Sequence, residues 1–383
     1  MKHLLIGLLI LITRGASLAA EAKPTLANVP YGPHEQQVLD FYKAASDRPT
    51  PVVFFIHGGG WLNRNKATFN NAAPYLAAGI SVVSINYRFI PQAEADKLVP
   101  PVKGPLRDAA RALQFIRTKA AEWNLDKQRI GASGSSAGAC SSLWLAFHPD
   151  LAEPKSDDPV ARESTRLWCA AVVRAQTTLD PRQMKEWTPN SGYGAHAFGI
   201  KGDPAKKLTA FDEFLARRDT ILPWIAEYSP YALVTSDDPP VYLEYNLPPA
   251  MGQLQENPTH SANFRRGTAG PLQGAGCAVR THLSRRARSA ARDGAGLSHR
   301  ETESGVAEIG RYGFGGTGAA GFASAGFGVA GGAGAGAGFF SSGFGVAGAG
   351  AAGFGSAGLA AAAGAGVAFF SSAFGAGGGS VQP

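Results

Sequence analysis

Two short stretches carry residues whose types and spacing could do chemistry together. The first is His57-Gly58-Gly59-Gly60-Trp61, which directly follows the apolar run Val52–Ile56. Three consecutive glycines open backbone conformations closed to other residues, so amide N–H groups can converge on one point. A turn of that kind can hold an oxyanion, although glycine runs also end strands for no catalytic reason. The second stretch is RIGASGSSAG, Arg129 to Gly138. Only one register fits Gly-x-Ser-x-Gly, namely Gly134-Ser135-Ser136-Ala137-Gly138, so Ser136 is the candidate nucleophile rather than Ser133 or Ser135. The small flanking residues permit a tight strand-to-helix turn that exposes the hydroxyl while the next N–H points at the same place. Either stretch alone could be a plain Gly/Ser-rich loop. The pair, in this order and with a strand between them, is much more specific.

The elements that must position these groups are legible as alternating segments. VVFFI (52–56), ISVVSINY (80–87), RIGAS (129–133), CAAVVRA (169–175) and PVYLEY (240–245) are β-rich runs bounded by turn residues. Between them, 106–123 carries Leu106, Ala110, Leu113 and Ile116 on one helical face, and the segment after Ser136 also suits a helix. Continuous apolar strands alternating with helices predict an α/β fold, a mostly parallel sheet covered on both faces. The less regular stretch 150–239 reads equally as a lid over a site or as connecting structure.

With these residues in view the chain resembles the α/β-hydrolase esterases of the hormone-sensitive-lipase and feruloyl-esterase-like kind. HGGGW, Asn86-Tyr87-Arg88, the helix-to-strand passage 107–131, GSSAG and SDDPPV (236–241) carry the resemblance, which spans roughly Val29 to Phe264. It implies hydrolysis of a small-molecule ester through an acyl-enzyme intermediate, with no cofactor. Ser136 would attack the carbonyl, and the amides of Gly58, Gly59 and Ala137 would stabilise the tetrahedral oxyanion. Ala139 departs from the family, which often has Gly there.

The remaining triad members are harder to place. In this fold the acid follows the strand matching PVYLEY, and the base follows the next strand. The loop after Tyr245 contains one carboxylate, Glu256, the acid candidate against an ordinary surface Glu. His260 shares that loop and reads as a surface or supporting residue. His282 and His299 lie in Arg/Gly/Ala-rich sequence with no strand leading into either. The base is therefore unassigned.

A break in composition near Phe264 bears on that gap. Residues 1–264 hold all 13 Lys and all 6 Trp but 16 of the 49 Gly; the rest hold no Lys, no Trp and 33 Gly. Charge divides into +2 before the break and +5 after it, so the basic balance belongs to the C-terminal part and does not make the protein a nucleic-acid binder. The segment 265–311 has the composition that GC-rich DNA gives in an unselected frame. Removing one base at Arg265 lets permissible codons encode an amphipathic helix, a strand, a loop with a His straddling the codons of Ala291 and Arg292, and a closing helix. The expectation is a frameshift, a domain over 24–264 that lacks its C-terminal part, and a sheet truncated after its seventh strand. Residues 312–383 contain no charged side chain and repeat Gly, Ala, Ser and Phe, which predicts a disordered tail.

Residues 1–20, with Lys2, an apolar run Leu4–Ile12 and small residues from Ala16, read as a signal peptide for a periplasmic or extracellular protein, with an uncleaved anchor as the alternative. Beyond it the chain is too polar for membrane spans. Cys140, Cys169 and Cys277 form neither a disulfide framework nor a metal-ligand spacing. The rival class is a non-catalytic exported surface or matrix protein, with a hydrolase-like domain and a working Gly/Phe tail.

Overall fold

The structure, a computed structural model, describes residues 22–274 and 279–283. The leader, Cys277, His299 and the uncharged tail lie outside the described residues. One eight-stranded sheet organises the rest: β1 (Leu26–Pro30), β2 (Val38–Tyr42), β3 (Thr50–Ile56), β4 (Ser81–Ile85), β5 (Leu125–Ser135), β6 (Cys169–Val173), β7 (Val241–Tyr245) and β8 (Val279–Leu283). Their spatial order is β1-β2-β4-β3-β5-β6-β7-β8. β2 runs antiparallel to both β1 and β4, and every other pairing is parallel.

The helices are α1 (Ala73–Ala77), α2 (Ile90–Ala95), α3 (Lys103–Thr118), α4 (Ala120–Trp123), α5 (Ala137–Phe147), α6 (Pro181–Trp187), α7 (Ala210–Ala216), α8 (Leu222–Tyr228) and α9 (Asn263–Gly274). β3 reads TPVVFFI and is buried throughout, as a strand covered on both faces requires. Its side chains alternate between two cores, with Phe54 and Ile56 in the larger and Val53 and Phe55 in the smaller. α5, which follows Ser136, is buried at every position. The single helix expected over 106–123 is two, α3 and α4. Asn124, at φ 59°, closes the second in the left-handed region that asparagine tolerates.

The expected truncation after PVYLEY does not occur among the described residues. α9 covers 263–274, and β8 pairs in parallel with β7, Val241 opposite Val279 through Tyr245 opposite Leu283. Composition hid both elements. α9 contains three glycines and an internal Pro271, a poor intrinsic helix former that tertiary packing of Phe264, Thr268 and Leu272 overrides. β8 forms because the outer edge of β7 otherwise presents a row of unpaired N–H and C=O groups. His282, expected outside any strand, stands in β8 opposite Glu244. The stretch 150–239 consists of β6 followed by α6, α7 and α8 with intervening 3₁₀ turns.

Candidate active site

Ser136 sits where β5 meets α5, at φ 55° and ψ −124°. A serine rarely adopts this backbone state, and it persists here because its surroundings over-determine it. The Ser136 amide donates to the Val173 carbonyl at the end of β6 (3.1 Å), and the Ser136 carbonyl accepts from the Cys140 amide (2.9 Å). Gly134 and Gly138 explain the motif's flanks. A Cβ on Gly138 would lie 2.0 Å from the Ile56 carbonyl oxygen, and one on Gly134 would lie 2.5 Å from the same atom. The first turn of α5 therefore packs directly on the end of β3, an approach only glycine allows.

That packing brings the glycine loop to the nucleophile. A Cβ on Gly58 would stand 2.6 Å from the Ser135 carbonyl oxygen and 3.4 Å from the Ser136 Cβ. Gly59 adopts φ 101°, beyond what an L side chain tolerates. The Ala137 amide opens α5, where the first N–H groups of a helix have no intrahelical acceptor. Gly58 thus lies against the Ser136 side chain, with Gly59 next to it in the loop and Ala137 following the serine.

Buried polar contacts hold this half in place. His57 is fully buried; its Nδ1–H donates to the Gly58 carbonyl (2.8 Å), and its ring stacks on Tyr87 at 4.2 Å. The Tyr87 hydroxyl donates to the His57 carbonyl (2.7 Å). Burial pushes the His57 pKa down to about 4, so the ring is neutral and structural at pH 7. Trp61 Nε1–H donates to Ser141 Oγ (2.9 Å), tying the glycine loop to α5. Arg88 grips the buried Asp108 of α3 with Nη2 at 2.6 Å and Nε at 3.0 Å. From the stretch 150–239, His196 Nε2–H donates to the Gly60 carbonyl (3.0 Å), so that segment contributes to the loop's position.

Sequence reasoning missed the imidazole. His260, expected as a surface or supporting residue, has Nε2 2.9 Å from Ser136 Oγ, in position to accept the hydroxyl proton. Gln176, fully buried, fixes its loop by donating from Nε2 to the Thr259 carbonyl (2.6 Å). Asn263 pins the other side of that loop: Nδ2 donates to the carbonyls of Trp187 (2.7 Å) and Ala250 (2.9 Å). No local signal marks His260 as a base, because its partner lies 124 residues earlier in the chain.

Glu256 is exposed, and the structure does not bring it to His260. Desolvation, followed by the nearby Arg174 charge, lowers the His260 pKa to about 4; no carboxylate acts in the opposite sense. The site therefore brings a serine hydroxyl, the glycine loop and a neutral imidazole together, but among the described residues no acid orients that imidazole. Such an arrangement can attack a carbonyl, with weak assistance from its base.

Comparison with known proteins finds several similar chains. A kynurenine formamidase of Danio rerio is 35% identical over 92 residues, 23% of this chain and 31% of that protein. A probable isoprenylcysteine alpha-carbonyl methylesterase of Arabidopsis thaliana is 30% identical over 142 residues, 37% of this chain and 28% of its own length. The chain thus spans about three-tenths of the curated relatives it matches. The crystal structure of an acetyl ester-xyloside bifunctional hydrolase from Caldicellulosiruptor lactoaceticus aligns at a TM-score of 0.48 and 23% identity, over 64% of this chain and 76% of that one. The BD-FAE family model matches residues 39–245, from β2 through the end of β7, more than half of the chain and both motifs within it. With its eight-stranded sheet and its serine at the β5–α5 corner, the chain belongs to the BD-FAE family of α/β-hydrolases.

Proposed function

We propose that the protein is a serine-dependent carboxylic ester hydrolase acting on small-molecule esters. The observation that carries this reading is the 2.9 Å approach of His260 Nε2 to Ser136 Oγ at the strained β5–α5 corner. Ser136 Oγ attacks the ester carbonyl as His260 Nε2 takes its proton. The amides of Gly58, Gly59 and Ala137 receive the oxyanion, each such donor contributing about 3 kcal/mol to lowering the barrier. The tetrahedral adduct collapses with return of the proton to the leaving alkoxide, giving the acyl-serine. Water attacks that ester by the same route in reverse, releasing the acid and restoring Ser136.

The base sets the rate. An imidazole whose pKa is about 4 accepts a proton reluctantly, and no carboxylate stabilises the imidazolium that forms. A reading-frame change at Arg265 is part of the same proposal. It is supported by the composition break after Phe264 and by the Gly/Pro content of α9. The chain is then an esterase impaired in its C-terminal part. The apolar leader assigns it to export, into the periplasm or the extracellular space.

The test is stoichiometric labelling by a fluorophosphonate together with cleavage of p-nitrophenyl acetate. Slow cleavage lost in Ser136→Ala supports the mechanism, and a marked gain on restoring the frame supports the impairment. Unchanged cleavage in Ser136→Ala would overturn the assignment of the nucleophile. Fast cleavage by the chain as it stands, abolished by Ser136→Ala, would overturn the impairment alone.

A further inference from the structure

One cation at the site has no part in the mechanism above. Arg174 follows immediately on Val173, whose carbonyl accepts the Ser136 amide, so it stands at the sheet end that carries the nucleophile. Its backbone takes φ 54°, turning the chain sharply out of β6, and its amide donates to the Glu244 carbonyl (2.8 Å). The side chain is half-buried. With the Asn246 carboxamide turned so that its oxygen faces the guanidinium, it accepts from Arg174 Nε (3.1 Å) and from Nη2. Among the described residues no carboxylate lies within ion-pairing distance of Arg174. By contrast, the half-buried guanidiniums of Arg88, Arg111, Arg129 and Arg218 each pair with an aspartate.

A guanidinium positioned by a neutral amide, half withdrawn from water and lacking a counter-ion, is suited to a planar anion brought by a ligand. The Arg174 backbone adjoins the carbonyl that holds the Ser136 amide, and its charge acts on the His260 ring. Retaining it beside a base that it weakens has a physical rationale when the substrate neutralises it: a bound carboxylate cancels the charge and makes His260 a better proton acceptor. Arg64, exposed next to the glycine loop and close enough to act on His57, adds positive potential from the other side of the site.

Resting on the proposed esterase reading, we propose that Arg174 is the specificity-determining residue of the site, and that the preferred esters carry a carboxylate on the portion lying toward the end of β6. The ligand class is a dicarboxylic acid hemiester or an ester of a hydroxy acid.

The test is calorimetric binding of monomethyl glutarate and of its neutral counterpart, dimethyl glutarate, to the full chain carrying Ser136→Ala. Turnover cannot occur in that background, so the measurement reads recognition alone. A charge-assisted contact of this kind predicts that the hemiester binds at least about tenfold more tightly than the diester. Adding Arg174→Gln should erase that ratio, and Arg174→Lys should keep part of it. Equal binding of the two ligands to Ser136→Ala overturns the proposal. So does a ratio that survives Arg174→Gln in a variant whose circular dichroism matches the parent. Failure of the esterase reading is a separate result, since it would show as ester cleavage that does not depend on Ser136.

Discussion

The two sides of the site are built to different standards. On one side β3, the glycine loop and α5 interlock: Gly138 leaves no room for a methyl group against Ile56, Tyr87 and His57 clamp the loop, and Trp61 ties it to Ser141. On the other side, β7 is followed by a largely exposed loop, a helix containing proline and three glycines, and an imidazole beside which no acid stands among the described residues. The contrast teaches that nucleophile geometry and imidazole placement are separable: the serine corner is set by backbone packing, whereas the His260 loop is held by side-chain hydrogen bonds from Gln176 and Asn263.

The largest effect that would sharpen this contrast comes from the C-terminal side. Restoring the reading frame at Arg265 should raise p-nitrophenyl acetate turnover by roughly a thousandfold, the scale on which a complete triad differs from an incomplete one. Steady-state kinetics on both forms checks it, and equal rates would remove the distinction between the two sides. Next in size is Gly138→Ala, whose Cβ would meet the Ile56 and His57 carbonyl oxygens at 2.0 and 2.6 Å. It should cost about 3 kcal/mol or more in a urea melt and abolish fluorophosphonate labelling.

Acid should weaken the fold through His57. Its folded pKa of about 4 lies below the unfolded value of 6.5, so between those values the unfolded chain binds more protons and stability falls as pH falls. Across that window the loss approaches about 3 kcal/mol, seen as a lower melting temperature at pH 4.5 than at pH 7 and reduced in His57→Asn relative to its own pH 7 value. Trp61→Phe removes one buried bond to Ser141 and should cost about 1–2 kcal/mol with a matching loss of kcat. Glu256→Gln stands last. An exposed carboxylate not brought to His260 should leave kcat/KM within about twofold, and a hundredfold loss would reinstate it as the acid.

Much of the better-ordered side was legible because its constraints are local. VVFFI is apolar at every position and became a central strand; GSSAG fixes its own register; α5 begins where the motif says it must. The antiparallel edge was not legible. β1 is short and contains Asn28 at φ 55°, and β2 places a buried Asp40 in an apolar run, satisfied by Lys66 from outside the strand at 2.9 Å. His260 escaped for the same reason: its role depends on a contact across 124 residues, which no spacing rule encodes. α9 and β8 were hidden because packing and an unpaired sheet edge, rather than propensity, determine them.

The close seat of Gly138 on the end of β3 has a consequence for how this scaffold could change its diet. Strand terminus, glycine loop and nucleophile helix form one closely seated piece, because a Cβ on Gly58, Gly134 or Gly138 would run into a main-chain carbonyl. Accommodation of a bulkier or slimmer ligand then falls to the segment bearing His196, which holds that piece through side-chain and main-chain hydrogen bonds such as His196 to Gly60 and Trp144 to Glu227. Selection for new substrates should accumulate there and spare the serine corner.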